Sequence, residues 1–453
     1  MGAFHAYDIR GIWGVDWDET VAYKVGYFIP ELLCTKKVLL GRDCRESSDT
    51  IHDAVVRGVT DAGADIWDIG LSTTPMVYFG TANYGFKASV QITASHNPAE
   101  YNGMKVSTTN AAAVGYDAGL GRIKEWIESG KPCPVASEKG KVFTKDIHKD
   151  YLDFLLKFKE DYSNLKIAMD LSNGMANLYA KEIFGDQPSY IFDTIDGRFP
   201  NHEPNPLIAK NRVALQELVK KTGADIGVIY DGDADRVMFV DENARFISPD
   251  LMIAVLGHYF LEKKGQKGVV LQDIRSSKAV GEYLAPMGAR METWKVGRAF
   301  AATKLREIDG IFGGELAGHY YFRDFFYSDS GLLASMVILN VVSEMKRRGV
   351  SLSQLISKIE KYKNSGEVNF KIEDKQGAMD AVKDHFISSE KPSAFMDFDG
   401  YRVEFPRWWF NIRPSNTEPY LRFICEADSD ALLEEKLSEV EKILCGKFGG
   451  VRQ

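Results

Sequence analysis

The chain has 453 residues, 45% of them hydrophobic and 26% charged, with a net charge of −8. That length exceeds one core and predicts roughly three or four domains, while the acidic balance speaks against nucleic acid or an anionic membrane as the main partner. Five cysteines without a CxxC pair, a start lacking the basic-then-apolar signal pattern and the absence of any run of membrane-spanning length predict a reduced, cytoplasmic setting.

In chain order, residues 37–43 read as an apolar strand ending on Asp, followed by a helix-like stretch and a second strand at 65–69, closed by Gly70. A third strand at 88–92 and a short return strand at 104–106 complete the unit. The same design recurs at 166–170, 189–193, 225–230 and 237–240, and again at 268–273, 290–294, 310–313 and 320–322. Each third strand runs into polar chemistry: Ser95, Asp231 and Glu315. Open α/β sheets bind ligands at such strand ends. The repeat is too long for a solenoid, so three separate domains sharing a cleft are predicted. The tail differs, with short strands at 401–405, 408–412 and 421–426. An amphipathic helix at 429–444 carries Leu432, Leu433, Leu437, Val440, Ile443 and Leu444 on one face. Asn364-Ser365-Gly366 reads as the linker into this fourth, α+β domain.

Ser95 follows an apolar run and is hemmed in by Asn97 and Pro98, which favour a turn. A serine hydroxyl is a weak nucleophile without a base or cation beside it, and alone it would read as a turn cap. His96 and Lys105 are the nearest candidates in sequence for proton transfer or phosphate contact. Asp231, Asp233 and Asp235 stand on alternate residues, the pattern of a hard-cation site. With Glu242 at position 12 they mimic a calcium EF-hand, but Arg236 occupies position 6, where the sharp turn requires glycine, and the flanks read as strands. A small octahedral ion such as Mg²⁺, completed by a phosphate oxygen, fits better, with Arg236 reaching the same phosphate. Glu315, in a glycine-rich turn, is suited to accepting two sugar hydroxyls, with His319 for proton transfer or orientation. Arg413, Ser415, Asn416, Thr417 and Arg422 combine guanidiniums, hydroxyls and turn amides suited to a dianionic phosphate. Nucleophile, cation and anion cradle together point to phosphoryl transfer.

Four motifs in one order resemble the α-D-phosphohexomutase superfamily, in its phosphomannomutase/phosphoglucomutase branch. They are Thr93-Ala94-Ser95-His96-Asn97-Pro98, Asp231-Gly232-Asp233-Ala234-Asp235-Arg236, Gly314-Glu315-Leu316-Ala317-Gly318-His319 and Arg413-Pro414-Ser415-Asn416-Thr417-Glu418-Pro419. The likeness extends from Tyr7-Asp8-Ile9-Arg10-Gly11 to the last domain. It implies an α/β protein: three similar α/β domains with mixed sheets plus a smaller C-terminal α+β domain around a central cleft. The expected boundaries are 1–150 for the phosphoserine loop, 151–250 for the metal loop, 251–365 for the sugar loop and 366–453 for the phosphate loop.

The resemblance further implies a phosphoserine at Ser95 and Mg²⁺ held by Asp231, Asp233, Asp235 and the Ser95 phosphate. Hexose 1-phosphate and 6-phosphate would interconvert through a 1,6-bisphosphate, with glucose or mannose 1,6-bisphosphate as activator. Arg10 and Lys105 match positions near the transferring phosphate, Glu315 the sugar contact and the Arg413 loop the distal phosphate. Three departures bear on sugar choice: Ala317 where many relatives have Ser, Arg298 where they often have His, and Arg275 where bacterial dual-specificity enzymes have Lys. The latter two keep positive charge for phosphate. Mannose against glucose stays open, as does monomer against homodimer. Phosphoglucosamine mutase and a metal-dependent sugar phosphatase are the alternatives. A bisphosphate that turns around without escaping also predicts a hinge near residues 364–370.

Overall fold

A computed structural model describes residues 2–415 and 419–453. The first sheet contains β1 (Ile9–Ile12), β2 (Lys37–Arg42), β3 (Asp65–Leu71), β4 (Ser89–Ile92), β5 (Tyr101–Thr108), β6 (Ala112–Ala113) and β7 (Val142–Thr144). The second holds β8 (Ile167–Asp170), β9 (Ser189–Ile191), β10 (Ile226–Tyr230), β11 (Val237–Asp241) and β12 (Phe246–Ile247). The third holds β13 (Gly268–Asp273), β14 (Ala289–Trp294), β15 (Phe312–Gly314), β16 (Tyr320–Phe322) and β17 (Ser328–Asp329). One strand order recurs: β3-β2-β4-β5-β1, β9-β8-β10-β11-β12 and β14-β13-β15-β16-β17. In each, three strands run parallel and the last two pairings are antiparallel. The internal repeat is therefore topological as well as sequential.

The central strands explain their own apolar runs. All residues of β4, β8 and β10 are buried, as expected of parallel strands covered by helices on both faces. The helix Gly331–Arg347 is buried along most of its length, and its N-cap Ser330 side chain accepts from Leu333 N at 3.2 Å. It contributes Leu332, Met336 and Leu339 to one apolar core that also takes in Met76 and Phe79 from the first unit and Phe239 from the second. The first three units are thus packed on one another through continuous apolar contact.

The fourth sheet is built from β18 (Lys363–Asn364), β19 (Val368–Lys371), β20 (Ala394–Met396), β21 (Tyr401–Glu404), β22 (Trp408–Pro414), β23 (Tyr420–Ala427) and β24 (Val451–Arg452). Its core, including Phe370, Trp408, Phe410 and Phe423, is separate from the others. Polar groups join it to the third unit. Arg402 Nη1 donates to the carbonyls of Ile274 and Ser276 at 2.8 and 2.7 Å, and Ser277 Oγ donates to Glu426 Oε2 at 2.8 Å. Residues 364–366 differ from a plain linker: Lys363 and Asn364 pair with Ala427 and Glu426, and Ser365 N donates to Cys425 O. Backbone donors that would be orphaned in a free linker find partners in the sheet. No described helix is long and apolar enough to cross a membrane.

Candidate active site

Ser95 leaves β4 in a left-handed conformation, φ +53°, which costs an L-residue roughly 1–2 kcal/mol. Its amide donates to Thr93 Oγ1 at 2.9 Å, and its hydroxyl donates to Asp231 Oδ2 at 2.9 Å. Gly232 packs so closely that a Cβ there would stand 2.5 Å from the Ser95 carbonyl oxygen. The nucleophile and the acidic loop, 136 residues apart in sequence, are in direct contact. His96 Nδ1 lies 3.4 Å from Ser95 Oγ. Burial, then the charges of Arg236, Arg10 and Lys105, hold this imidazole well below its ordinary pKa. It is neutral at pH 7.

Asp231, Asp233 and Asp235 are fully buried, with one oxygen from each within 4.8 Å of the others. Burial and the two neighbouring carboxylates raise the Asp231 pKa well above the usual range. On Asp235, burial works upward, but Lys105 and His319 outweigh it and the pKa is lowered. Lys105, on β5, spans the pair: Nζ is 2.6 Å from Asp233 Oδ2 and 2.5 Å from Asp235 Oδ2. Thr74 Oγ1 also donates to Asp233. Yet Asp233 Oδ1 and Asp235 Oδ1 are buried with no hydrogen-bond partner among the described residues. Two buried carboxylate oxygens without a hydrogen-bond donor call for a cation. The three aspartates form an acidic metal-binding cluster.

The third unit adds Glu315 and His319. Glu315 Oε1 accepts from Tyr321 OH at 2.5 Å and Oε2 from Gly297 N at 3.2 Å, and burial raises its pKa. His319 Nδ1 lies 2.6 Å from Asp329 Oδ2, whose other oxygen accepts from Arg298 Nε at 3.0 Å. Burial pushes Asp329 up, but the His319 hydrogen bond and Arg298 prevail and hold it at about 2. The Arg298 guanidinium also lies 3.7 Å from the Tyr78 ring centre, joining the first and third units.

At the far end, Glu367 bridges two arginines. It accepts from Arg275 Nη1 at 3.4 Å and from Arg422 Nη1 at 2.9 Å. Arg275 is further fixed by Asp273, with Nη2 2.8 Å from Oδ2. Burial and repulsion from Arg275 lower the Arg413 pKa; its Nη1 is 3.7 Å from Asp399 Oδ1. Ser415 N donates to Tyr420 O at 2.9 Å, tying the end of β22 to the start of β23.

One cavity of about 680 Å³ is lined from all four units, by Arg10, His96, Lys105, Asp235, Arg236, Arg275, Arg298, Glu315, His319, Arg413, Ser415 and Arg422. Ser95, Asp231 and Asp233 lie beneath this wall and do not line it. Arg10 Nη1 donates to Asn97 Oδ1 at 3.0 Å, and its Nη2 pairs with Asp8. Asn416 and Thr417 lie outside the described residues. Sequence reasoning missed Thr74, Arg45, Asp329 and Glu367. Each acts across a domain or loop boundary, so no local spacing marks it. Only the Asp43-Cys44-Arg45 run at the end of β2 offered a cue, an ion pair two residues apart.

Comparison with known proteins places this geometry. Residues 1–131, 149–244, 248–362 and 367–443 match the phosphoglucomutase/phosphomannomutase alpha/beta/alpha domains I, II and III and the C-terminal domain, respectively. A phosphomannomutase of Methanocaldococcus jannaschii is 35% identical over 449 residues, 97% of each chain. The phosphohexose mutases of Xanthomonas campestris pv. campestris are 35% identical over 457 residues, 98% of this chain and 100% of theirs. Among solved structures, a phosphoglucomutase/phosphomannomutase family protein from Burkholderia thailandensis superposes with a TM-score of 0.87 at 27% identity, covering 98% of this chain and 97% of that one. With all four domain types matched in order, the chain belongs to the phosphoglucomutase/phosphomannomutase family.

Proposed function

We propose that the protein is a phosphohexomutase that interconverts hexose 1-phosphate and hexose 6-phosphate, on mannose, glucose or both. The observation that carries this reading is the single cavity onto which the first, third and fourth units and the acidic loop all open. Ser95 carries the phosphoryl group. In the forward step the bond from phosphorus to Ser95 Oγ breaks, a new bond forms to the sugar hydroxyl oxygen, and that hydroxyl gives up its proton. His319 commits Nδ1 to Asp329, which leaves Nε2 to receive that proton. The resulting 1,6-bisphosphate turns around, and its other phosphoryl group returns to Ser95, restoring the enzyme.

Charge spreads over the phosphoryl oxygens in flight, and Arg10, Lys105 and Arg236 supply fixed positive charge on that side of the cavity. Glu315 accepts sugar hydroxyls. Arg275, Arg298, Arg413, Ser415 and Arg422 hold the distal phosphate, with Asn416 and Thr417 assigned there from sequence. Asp231, Asp233, Asp235 and a Ser95 phosphate oxygen would hold Mg²⁺, which when bound supplies Lewis-acid neutralisation of the phosphoryl group. A hexose 1,6-bisphosphate is the expected activator, since an unphosphorylated serine needs a donor.

Phosphorus NMR of the protein with Mg²⁺ and a trace of glucose 1,6-bisphosphate tests the reading, with mannose 1-phosphate and glucose 1-phosphate in separate tubes. Conversion to 6-phosphate without free phosphate supports a mutase and ranks the sugars. Accumulating inorganic phosphate makes it a phosphatase. Ser95→Ala should abolish turnover while leaving sugar-phosphate binding in place; near-normal activity would refute the phosphoserine role.

A further inference from the structure

Arg45 is one of the most completely engaged side chains in the molecule, and it touches no part of the cavity. It is 2% exposed. Nη2 donates to the carbonyls of Ser95 and Asn97 at 2.9 and 2.7 Å, and Nη1 to those of Pro98 and Tyr101 at 2.5 and 3.1 Å. Nε donates to Asp43 Oδ2 at 3.1 Å. All five guanidinium N–H groups are spent, four of them on the segment from Ser95 to the first residue of β5. Asp43 is itself fixed, its Oδ1 accepting from Ser48 Oγ at 2.6 Å and from the Arg45 amide at 3.0 Å. From the second unit, the Phe199 ring centre lies 4.9 Å from the guanidinium carbon.

A segment whose carbonyls at 95, 97, 98 and 101 converge on one point needs a cation between them, because the oxygens repel. Ser95 sits in this loop with φ +53°, a conformation that persists only where its surroundings over-determine it. Asn97 adds a second consequence. Its carbonyl is gripped by Arg45 while its side-chain oxygen accepts from Arg10 Nη1. One buried cation therefore fixes both the nucleophile and an arginine of the cavity wall.

We propose that Arg45 is the positioning residue of the serine loop, holding Ser95 Oγ against Asp231 and aiming Arg10 through Asn97, without contacting substrate. The proposal rests on Ser95 being the phosphoryl carrier. An ammonium offers three donors in place of a five-donor planar fork, so Arg45→Lys keeps the charge but cannot hold all five acceptors. The assay phosphorylates each enzyme with glucose 1,6-bisphosphate and counts phosphoserine by intact mass. It then measures the single-turnover transfer to glucose 1-phosphate per phosphorylated serine, together with KM and Tm.

The expected result is a transfer rate lowered about 100-fold, the cost of roughly 1 Å misplacement, with KM within about twofold of the parent. A purely structural residue would instead lower Tm and the phosphorylatable fraction and leave the rate per phosphoserine unchanged. That outcome overturns the proposal. Should Arg45→Lys fail to fold, Phe199→Leu removes the ring beneath the guanidinium and should lower the same rate about fivefold; an unchanged rate there overturns it equally. Ser95→Ala, run alongside, separates the two ideas. If it stays active the carrier reading falls, whereas a dead Ser95→Ala beside a normal Arg45→Lys removes only the positioning role.

Discussion

Gly232→Ala tests the contact between the serine loop and the acidic loop most directly. The added Cβ would lie 2.5 Å from the Ser95 carbonyl oxygen and 3.3 Å from Pro204 Cβ. Ordinary contact begins near 3.4 Å, so the two loops must part by about 0.9 Å. Neither gives easily: Arg45 holds the Ser95 carbonyl, and Met175 N donates to Gly232 O at 2.8 Å. The parting falls on the Ser95 Oγ to Asp231 contact, where a 1 Å error costs on the order of 100-fold in rate, about 2.7 kcal/mol of barrier. Overpacking should also lower stability by about 1–3 kcal/mol. A coupled assay of glucose 1-phosphate conversion gives kcat and KM, and thermal unfolding by circular dichroism gives Tm. Gly446→Ala is the control, since a Cβ there meets nothing within 4 Å. A Gly232→Ala enzyme with kcat within twofold of the parent and an unchanged Tm would refute the reasoning.

Arg413→Ala should raise KM about 10- to 100-fold, the range for a charge-assisted hydrogen bond, and release more bisphosphate during turnover. Unchanged kinetics would remove Arg413 from the clamp. Glu426, buried between Ser277, Trp409 and Asn364, is raised to about 7 by burial and by Asp250. Its folded state therefore holds a proton that the unfolded chain has lost, so stability falls as pH rises from about 4.5 to 7, by roughly 3 kcal/mol. Urea unfolding across that range should show the slope in the parent and a flatter line in Glu426→Gln; equal slopes would show that Glu426 is not its source. Polar links and a separate core predict that the fourth unit rotates, with the pivot just before β18 at residues 360–362, since residues 363–364 and 368–371 are themselves paired with β23. X-ray scattering should show a smaller radius of gyration with glucose 1,6-bisphosphate than without, and superimposable curves would exclude the hinge.

The parts of the site visible in the sequence are those that sit at strand ends. Ser95, Asp231 and Glu315 follow β4, β10 and β15, the corresponding strand of each sheet, so a repeated apolar pattern was enough to align them. The acidic metal-binding cluster could be read because three aspartates on alternate residues are local. Lys105 was legible as a nearby cation, but its pairing with Asp233 and Asp235 depends on two units meeting. Glu367 lies beside the predicted linker and looks like a solvated acid in sequence. Only the approach of Arg275 from the third sheet and Arg422 from the fourth gives it a role. Asp329 escaped because its partners, Arg298 and His319, both precede it in the chain, 31 and 10 residues away, and converge on it only in the fold.

The outermost position of the shared strand order has a different origin in the first sheet. In the second and third sheets it is filled by β12 and β17, each following its neighbour in the chain. In the first it is shared by β6, which follows β5 in the chain, and by β1, which arrives from the opposite direction. The first unit thus draws part of this edge from the far end of its own segment of chain. Arg10 occupies that borrowed strand, opposite Gly103. The opening dozen residues consequently act as a strand laid on the β5 edge, carrying a cavity cation with it. During synthesis β1 emerges first and stays unpaired until β5 has followed it, and a shortened amino terminus would leave part of the β5 edge unsatisfied beside an enzyme missing one of its charges.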